Sequence, residues 1–191
     1  MARKKTFTQE ELYQATHDLM LEVGYDIFSF QLLANKLDIS RTALYKYYTN
    51  KYDLLQDYLK HQLEKVVERL DATEWPSEYP EKLSALMDLV FDYADTHAIS
   101  AMVPAQQWTK ENANDPDIQR SKELHARFFG FIQVMIEEGQ RDGFLNQEIP
   151  LLVMIETIFH SINLPNRAGL STEQRAYFVK KMLFEGILKQ K

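Results

Sequence analysis

Seven consecutive residues, Ser40-Arg41-Thr42-Ala43-Leu44-Tyr45-Lys46, carry side chains suited to reading a nucleic-acid duplex. An arginine can bond bidentately to the edge of guanine, a threonine or alanine methyl can meet the methyl of thymine, and a lysine neutralises phosphate. On a helix opened by Ser40, Leu44 turns inward and leaves Arg41, Thr42, Tyr45 and Lys46 outward. Tyr47 is grouped with this face, whereas Tyr48 is expected to pack against the next helix. Lys51 begins that next helix, where a cation opposes the dipole, so a nearby anion explains its placement. Lys5, with Arg3 and Lys4, forms a basic N-terminus that is read either as a solubility tail or as an arm touching phosphate or the minor groove.

No other chemistry is as well supplied. Asp57/His61 and Glu156/His160 are i,i+4 pairs, but spacing implies no third ligand, so they are read as surface pairing or helix packing and no metal is expected. There is no Gly-x-Ser-x-Gly and no phosphate-cradling glycine loop, so no catalytic residue and no cofactor are assigned. The absence of cysteine excludes disulfides and thiolate metal sites. The N-terminus leads into no apolar signal core, and no run reaches the roughly 18 apolar residues of a membrane span. A soluble, cytoplasmic protein without a membrane partner is expected.

A reading helix must be held by other helices, and the sequence supplies them. Thr8 and Glu11 form a capping box ahead of Leu12, Ala15, Leu19 and Met20, and Gly24 stands where that helix should stop. Ser29 caps a second helix with Leu32, Leu33, Ala34 and Leu37. Asp38, which tolerates the left-handed conformation, ends it, and Ile39 is the apolar plug of the turn before Ser40. Asn50 caps a long fourth helix to about Leu70. A fifth is expected from about Glu81 to His97, then a stretch to Pro116 with at most one short helix. A long helix over Asp117–Asp142 ends at Gly143. Two more cover about Leu151–Asn163 and Thr172–Lys189. The expectation is all-α, about nine helices: a helix-turn-helix domain over residues 1–50 and a helical domain over 51–191.

The net charge of −6 is unevenly placed. Residues 1–51 hold seven Lys/Arg against six Asp/Glu, and the rest hold fifteen against twenty-two. Charges more than about 8 Å apart are largely screened at physiological salt, so the local cations, not the total, decide whether phosphate is attracted.

The run Leu44-Tyr45-x-Tyr47-Tyr48-x-x-Lys51-x-x-Leu54-Leu55, with Gly24-Tyr25-Asp26, Ser29 to Ala34 and Ile39 to Ala43 ahead of it, resembles the DNA-binding signature of the TetR family. Asp38, Thr42 and Ala43 depart from its usual glycine, its glycine or proline, and its frequent threonine. Ile136-Glu137-Glu138-Gly139-Gln140-Arg141-Asp142-Gly143-Phe144-Leu145 is a weaker echo of the end of the family's long ligand-domain helix. The resemblance implies a ligand-responsive transcription regulator, a repressor rather than an enzyme, that grips double-stranded operator DNA as a homodimer. It implies that Tyr45 and Lys51 meet phosphate, and that an effector pocket lies between the fourth and seventh helices. Tyr58, Phe91, Met102, Trp108, His125, Phe128, Phe129 and Ile132 are the candidates for lining it, against an effector of unknown identity, apolar or amphipathic in kind. Leu152, Ile155, Phe159, Ile162, Phe178 and Met182 give the last two helices apolar faces for a twofold four-helix bundle. A small all-α enzyme and a protein-binding helical adaptor are the rival classes.

Overall fold

A computed structural model describes residues 7–104, 115–164 and 167–187, although nothing is described of the side chains of residues 186 and 187. Among these residues the elements are all helical: α1 Gln9–Ile27, α2 Phe30–Leu37, α3 Arg41–Leu44, α4 Lys51–Ala72, α5 Tyr79–Asp92, α6 Ala94–Met102, α7 Pro116–Arg141, α8 Leu151–Ser161 and α9 Thr172–Ile187. No helix of the described residues is long and apolar enough to cross a membrane. The chain divides into two compact units, Met1–Glu64 with Asp95–Asn114, and Lys65–Ala94 with Asp115–Lys191.

Local signals set most of the helix ends in the first unit. The Thr8 amide donates to Glu11 Oε2 at 2.8 Å while the Glu11 amide donates to Thr8 Oγ1 at 3.1 Å, which closes the capping box. Gly24, at φ 72°, kinks α1 instead of ending it, and a last turn continues to Ile27. Ser29 Oγ accepts the Leu32 amide, and Asp38 ends α2 in the left-handed region, at φ 54° and ψ 47°. The Ile39 amide then donates back to the Ala34 carbonyl at 3.0 Å, so the chain turns tightly into α3. Asn50 opens α4 by accepting the Asp53 amide on its side-chain oxygen at 3.0 Å. The core of this unit joins Leu12, Leu19 and Met20 of α1 to Leu33, Leu44, Leu54, Leu55 and Tyr58, with Ile99 and Val103 contributed from later in the chain.

The second unit packs Leu83, Leu86, Met87 and Val90 of α5 with Ile132, Met135 and Ile136 of α7, Met154, Ile155 and Ile158 of α8, and Val179 and Leu183 of α9. One expected element is corrected here. The single helix expected from Glu81 to His97 is two, because Tyr93 leaves helical geometry at φ −103° and ψ 15°. The break has a packing reason: side chains up to Ala94 belong to this core, whereas Ile99 and Val103 belong to that of the first unit. The glycine-spaced end of α7 also has a structural account. A Cβ at Gly139 would collide with the ring and hydroxyl of Tyr79, and Gly143 turns at φ 79° so that the Phe144 and Leu145 amides both donate to the Gly139 carbonyl at 2.9 Å.

Candidate nucleic-acid interface

The interface is built from a helix of only four residues. Leu44 is completely buried, and fully burying a leucine is worth roughly 1.5–3 kcal/mol, which anchors α3 by its one large apolar side chain. Ser40, Arg41, Thr42 and Lys46 are exposed, Ala43 is partly so, and Tyr45 and Tyr47 keep 46% and 67% of their surface open. Ser40 stands at the N-cap position in extended conformation but makes no side-chain capping bond, so its hydroxyl is not used in the way its place suggested. Ser29 is half-buried and does cap α2.

Three of the outward side chains contact neighbours. An Arg41 Nη2 N–H donates to the Tyr45 hydroxyl at 2.6 Å, and the guanidinium carbon lies 5.1 Å from the centre of that ring. Tyr45 in turn meets Phe30 edge-on, with ring centres 5.1 Å apart, and Phe30 is core. The guanidinium is therefore supported from below, with N–H groups left over for an acceptor. Tyr47 makes an edge contact with Phe7 at 5.5 Å. Tyr48, half-buried, donates to Asp57 on α4, the packing role expected of it.

Lys51 is engaged within the chain. Its ammonium donates to the carbonyls of Tyr25 at 2.6 Å, Phe28 at 3.2 Å and Asp26 at 3.4 Å, and sits 4.3 Å from the centre of the Tyr25 ring. These carbonyls close the C-terminal end of α1, where the helix dipole is negative, so the anion that the placement of Lys51 called for includes a helix end of the protein itself. Sequence reasoning missed this contact because Lys51 and Tyr25 are distant in sequence and a carbonyl carries no residue signature. Lys5 lies outside the described residues.

The candidate pocket residues fall in different surroundings. Tyr58 and Ile132 are fully buried and Phe91 nearly so, each in the core of its own unit. The Tyr58 hydroxyl lies 2.7 Å from His17 Nδ1, and burial pushes its phenol up to about 12 against the opposing hydrogen bond with Thr96. Met102 and Phe129 are exposed, Phe128 is half-buried, and exposed His125 turns its Nδ1 to the Ser121 carbonyl. Trp108 lies outside the described residues. On α8 and α9, Leu152, Phe178 and Met182 are exposed, Phe159 is half-buried, and Ile155 and Ile162 are buried within their own unit. Among the described residues no group of three or more His, Asp or Glu is placed to hold a metal ion.

The sequence model for bacterial regulatory proteins of the tetR family matches residues 12–58, from the core of α1 through the turn and α3 into α4. Residues 12–58 are thus similar to the DNA-binding part of TetR-family transcriptional regulators. The HTH-type transcriptional regulator YdeS of Bacillus subtilis is 26% identical over 165 residues, covering 81% of this chain and 76% of that protein. PfmR, a TetR-family regulator from Thermus thermophilus, superposes with a TM-score of 0.71 at 17% identity, covering 98% of this chain and all of PfmR's chain. The fatty acid degradation regulator FadR from Bacillus halodurans follows at 0.69 and 16%, covering 95% and 98%. FadR from Bacillus subtilis, solved in complex with stearoyl-CoA, gives 0.69 and 17%, covering 94% and 100%. At such identities these structures establish the shared fold across both units. The matched family and these neighbours are described as transcriptional regulators.

Proposed function

We propose that this chain is a homodimeric repressor acting in the cytoplasm, released from its operator when an apolar or amphipathic small molecule binds its helical body. One observation carries the DNA half of this reading: α3 buries Leu44 completely while Arg41, Thr42, Tyr45 and Lys46 stand exposed behind a left-handed turn. Arg41, steadied by Tyr45, is the base-reading candidate, with Thr42 and Ala43 beside it for a thymine methyl. Lys46, Tyr47, Ser29, Ser40 and the basic Lys5 segment border it for backbone contact, and Lys51 supports this face through its grip on the end of α1.

Reading of this kind needs two recognition helices roughly 34–36 Å apart, hence a dimer. Leu152, Phe178 and Met182 support α8 and α9 as its seam, since they keep 68%, 53% and 58% of their surface open in the single chain. Ile155, Phe159 and Ile162 would form the layer beneath. The effector half draws support from the FadR chain that holds stearoyl-CoA, an acyl chain on a polar carrier. Phe128, Phe129 and their aromatic neighbours on α7 supply apolar surface of the matching kind. Because α4 is continuous from Lys51 to Ala72, a ligand that favours one position of it shifts the distance between the two reading heads. An apolar effector that binds both positions equally would release nothing.

The test is binding of fluorescent duplexes over a salt series. The regulator should bind with a log–log slope near −0.9 per phosphate neutralised. Arg41→Ala should cost about 1–3 kcal/mol on a preferred duplex and relax its preference, while Lys46→Ala weakens all duplexes alike. Salt-independent binding would refute the DNA reading. Stearoyl-CoA and shorter acyl-CoAs would then be titrated into the complex, and failure of every member to release DNA would refute the effector class.

A further inference from the structure

A single carboxylate oxygen gathers three parts of the reading unit. The Tyr48 hydroxyl donates to Asp57 Oδ2 at 2.7 Å, and the Tyr13 hydroxyl donates to the same oxygen at 2.6 Å. Lys60 Nζ lies 3.1 Å from the other carboxylate oxygen, and Gln9 Nε2 donates to the Tyr13 hydroxyl at 2.8 Å. Asp57 belongs to α4 and Tyr13 to α1, whereas Tyr48 lies four residues beyond the end of α3, its amide donating to the Leu44 carbonyl at 3.1 Å. Burial is the largest influence on both phenols and raises them, and the carboxylate beside them raises them further, so both remain donors at neutral pH. Burial also works to raise Asp57, but the two phenol hydrogen bonds and Lys60 outweigh it and hold the carboxyl below its ordinary range. The acceptor is charged and both donors are protonated, which is the strong form of this hydrogen bond.

We propose that Tyr48 and Asp57 are a positioning pair that fixes the pitch of the recognition helix against α4, and so governs how well a preferred DNA sequence is told from others. The inference rests on the DNA-binding reading above and names residues that touch no base. Its ground is the brevity of α3. Four residues make too few internal hydrogen bonds to hold an orientation, Ser40 adds no side-chain cap, and the one large buried side chain is Leu44. One anchored side chain sets the depth of a helix but lets it pivot. The Tyr48 hydroxyl, four residues further on and tied to the rigid α4, is the second fixed point that removes the pivot. Tyr13 bonds to the same oxygen but belongs to α1, which carries none of the outward side chains assigned to reading.

That difference makes the test a matched pair. Tyr48→Phe and Tyr13→Phe each delete one hydroxyl donor from one oxygen and leave the ring in place. Both are introduced into the full chain, which is assayed on a duplex selected by the unaltered protein from a random-sequence library and on a scrambled duplex at the same salt. Both variants should lower the thermal midpoint by a similar few degrees. Tyr48→Phe alone should lower the ratio of selected to scrambled affinity, by about tenfold, the scale of one hydrogen bond to a charged partner. Its affinity for the scrambled duplex and its salt slope stay unchanged. Asp57→Asn, which keeps an accepting oxygen without the charge, should give a smaller loss of the ratio than Asp57→Ala. Equal loss of the ratio in the two phenylalanine variants, or an unchanged ratio in Tyr48→Phe, overturns the proposal. An unaltered protein with no preference for its selected duplex overturns the underlying DNA reading as well, which separates the two failures.

Discussion

Gly139→Ala is a one-methyl change with a large expected effect. Tyr79 is 6% exposed, donates its hydroxyl to the Met135 carbonyl at 3.0 Å and stacks on Phe144 at 5.1 Å between ring centres. A Cβ on Gly139 would lie 2.7 Å from Tyr79 Cε1 and nearer still to Cζ and the hydroxyl, so the ring must leave its place. Losing a buried aromatic residue from its site costs about 3–5 kcal/mol, and an orphaned buried hydroxyl about 1–3 more. The higher helix propensity of alanine returns at most about 1 kcal/mol. The expected net loss is about 4 kcal/mol, a large fraction of a typical stability of about 5–15 kcal/mol. The decisive assay is urea unfolding in two backgrounds. In a Tyr79→Ala chain the obstacle is gone, and Gly139→Ala should now stabilise by about 0.5–1 kcal/mol. Gly130→Ala, where an added Cβ meets nothing within 4 Å, should stabilise by a similar amount in the unaltered chain. If Gly139→Ala costs the same with and without the Tyr79 ring, steric conflict between these two residues is not the reason for the glycine.

Three further outcomes follow from single contacts. Lys51→Met removes the donor shared by the Tyr25, Asp26 and Phe28 carbonyls, which water partly reaches, so a loss of about 2 kcal/mol in unfolding free energy is expected with no change in the salt slope of DNA binding. A slope smaller by about 0.9 per protomer with an unchanged midpoint would assign that ammonium to phosphate instead. Asp38→Gly relieves a left-handed residue at φ 54° and should stabilise by about 0.5 kcal/mol in thermal unfolding; a lowered midpoint would mean that the aspartate side chain outweighs its backbone strain. The folded Asp57 carboxyl titrates below its ordinary value of 3.8, so its stabilisation is full above that value and is lost as pH falls through the lower folded one. Asp57→Asn should therefore flatten the acid limb of stability below about pH 4, and an unaltered limb would show that this carboxylate bears no part of acid unfolding.

Most helix ends of the first unit were legible in the sequence because their determinants are local. Thr8 with Glu11, Ser29 with Leu32, Asp38 with its left-handed turn, and Asn50 with Asp53 all act within a few residues, and each does what its type and position implied. The contacts that remained hidden join distant parts of the chain through groups without a signature. The Lys51 ammonium finds main-chain carbonyls more than twenty residues away, and the Tyr13 hydroxyl finds Asp57 across 44 residues. The break at Tyr93 was hidden for a related reason. No glycine or proline marks it, since it arises where successive side chains are assigned to two different cores.

The last two helices show where pattern reading loses resolution altogether. Leu152, Ile155, Phe159 and Ile162 share one apolar stripe in sequence, spaced by threes and fours, and nothing in that spacing separates a side chain buried by its own unit from one awaiting a partner. The structure divides the stripe: Ile155 and Ile162 are 3% and 4% exposed, while Leu152 is 68% exposed. On α9 the same division sets buried Val179 and Leu183 against open Phe178 and Met182. Such a helix is apolar over more than the single face its own core needs. The surplus is what a twofold partner would cover, and substitution should distinguish the two sets. Ile155→Ala should lower the unfolding midpoint at any protein concentration, because the cavity lies within one chain. Met182→Glu should leave the secondary structure of the isolated chain intact and act on association, visible as a lower sedimentation coefficient that rises again with concentration. If Met182→Glu sediments like the unaltered protein at every concentration, α9 is not the seam, and the proposed dimer would have to form through another surface.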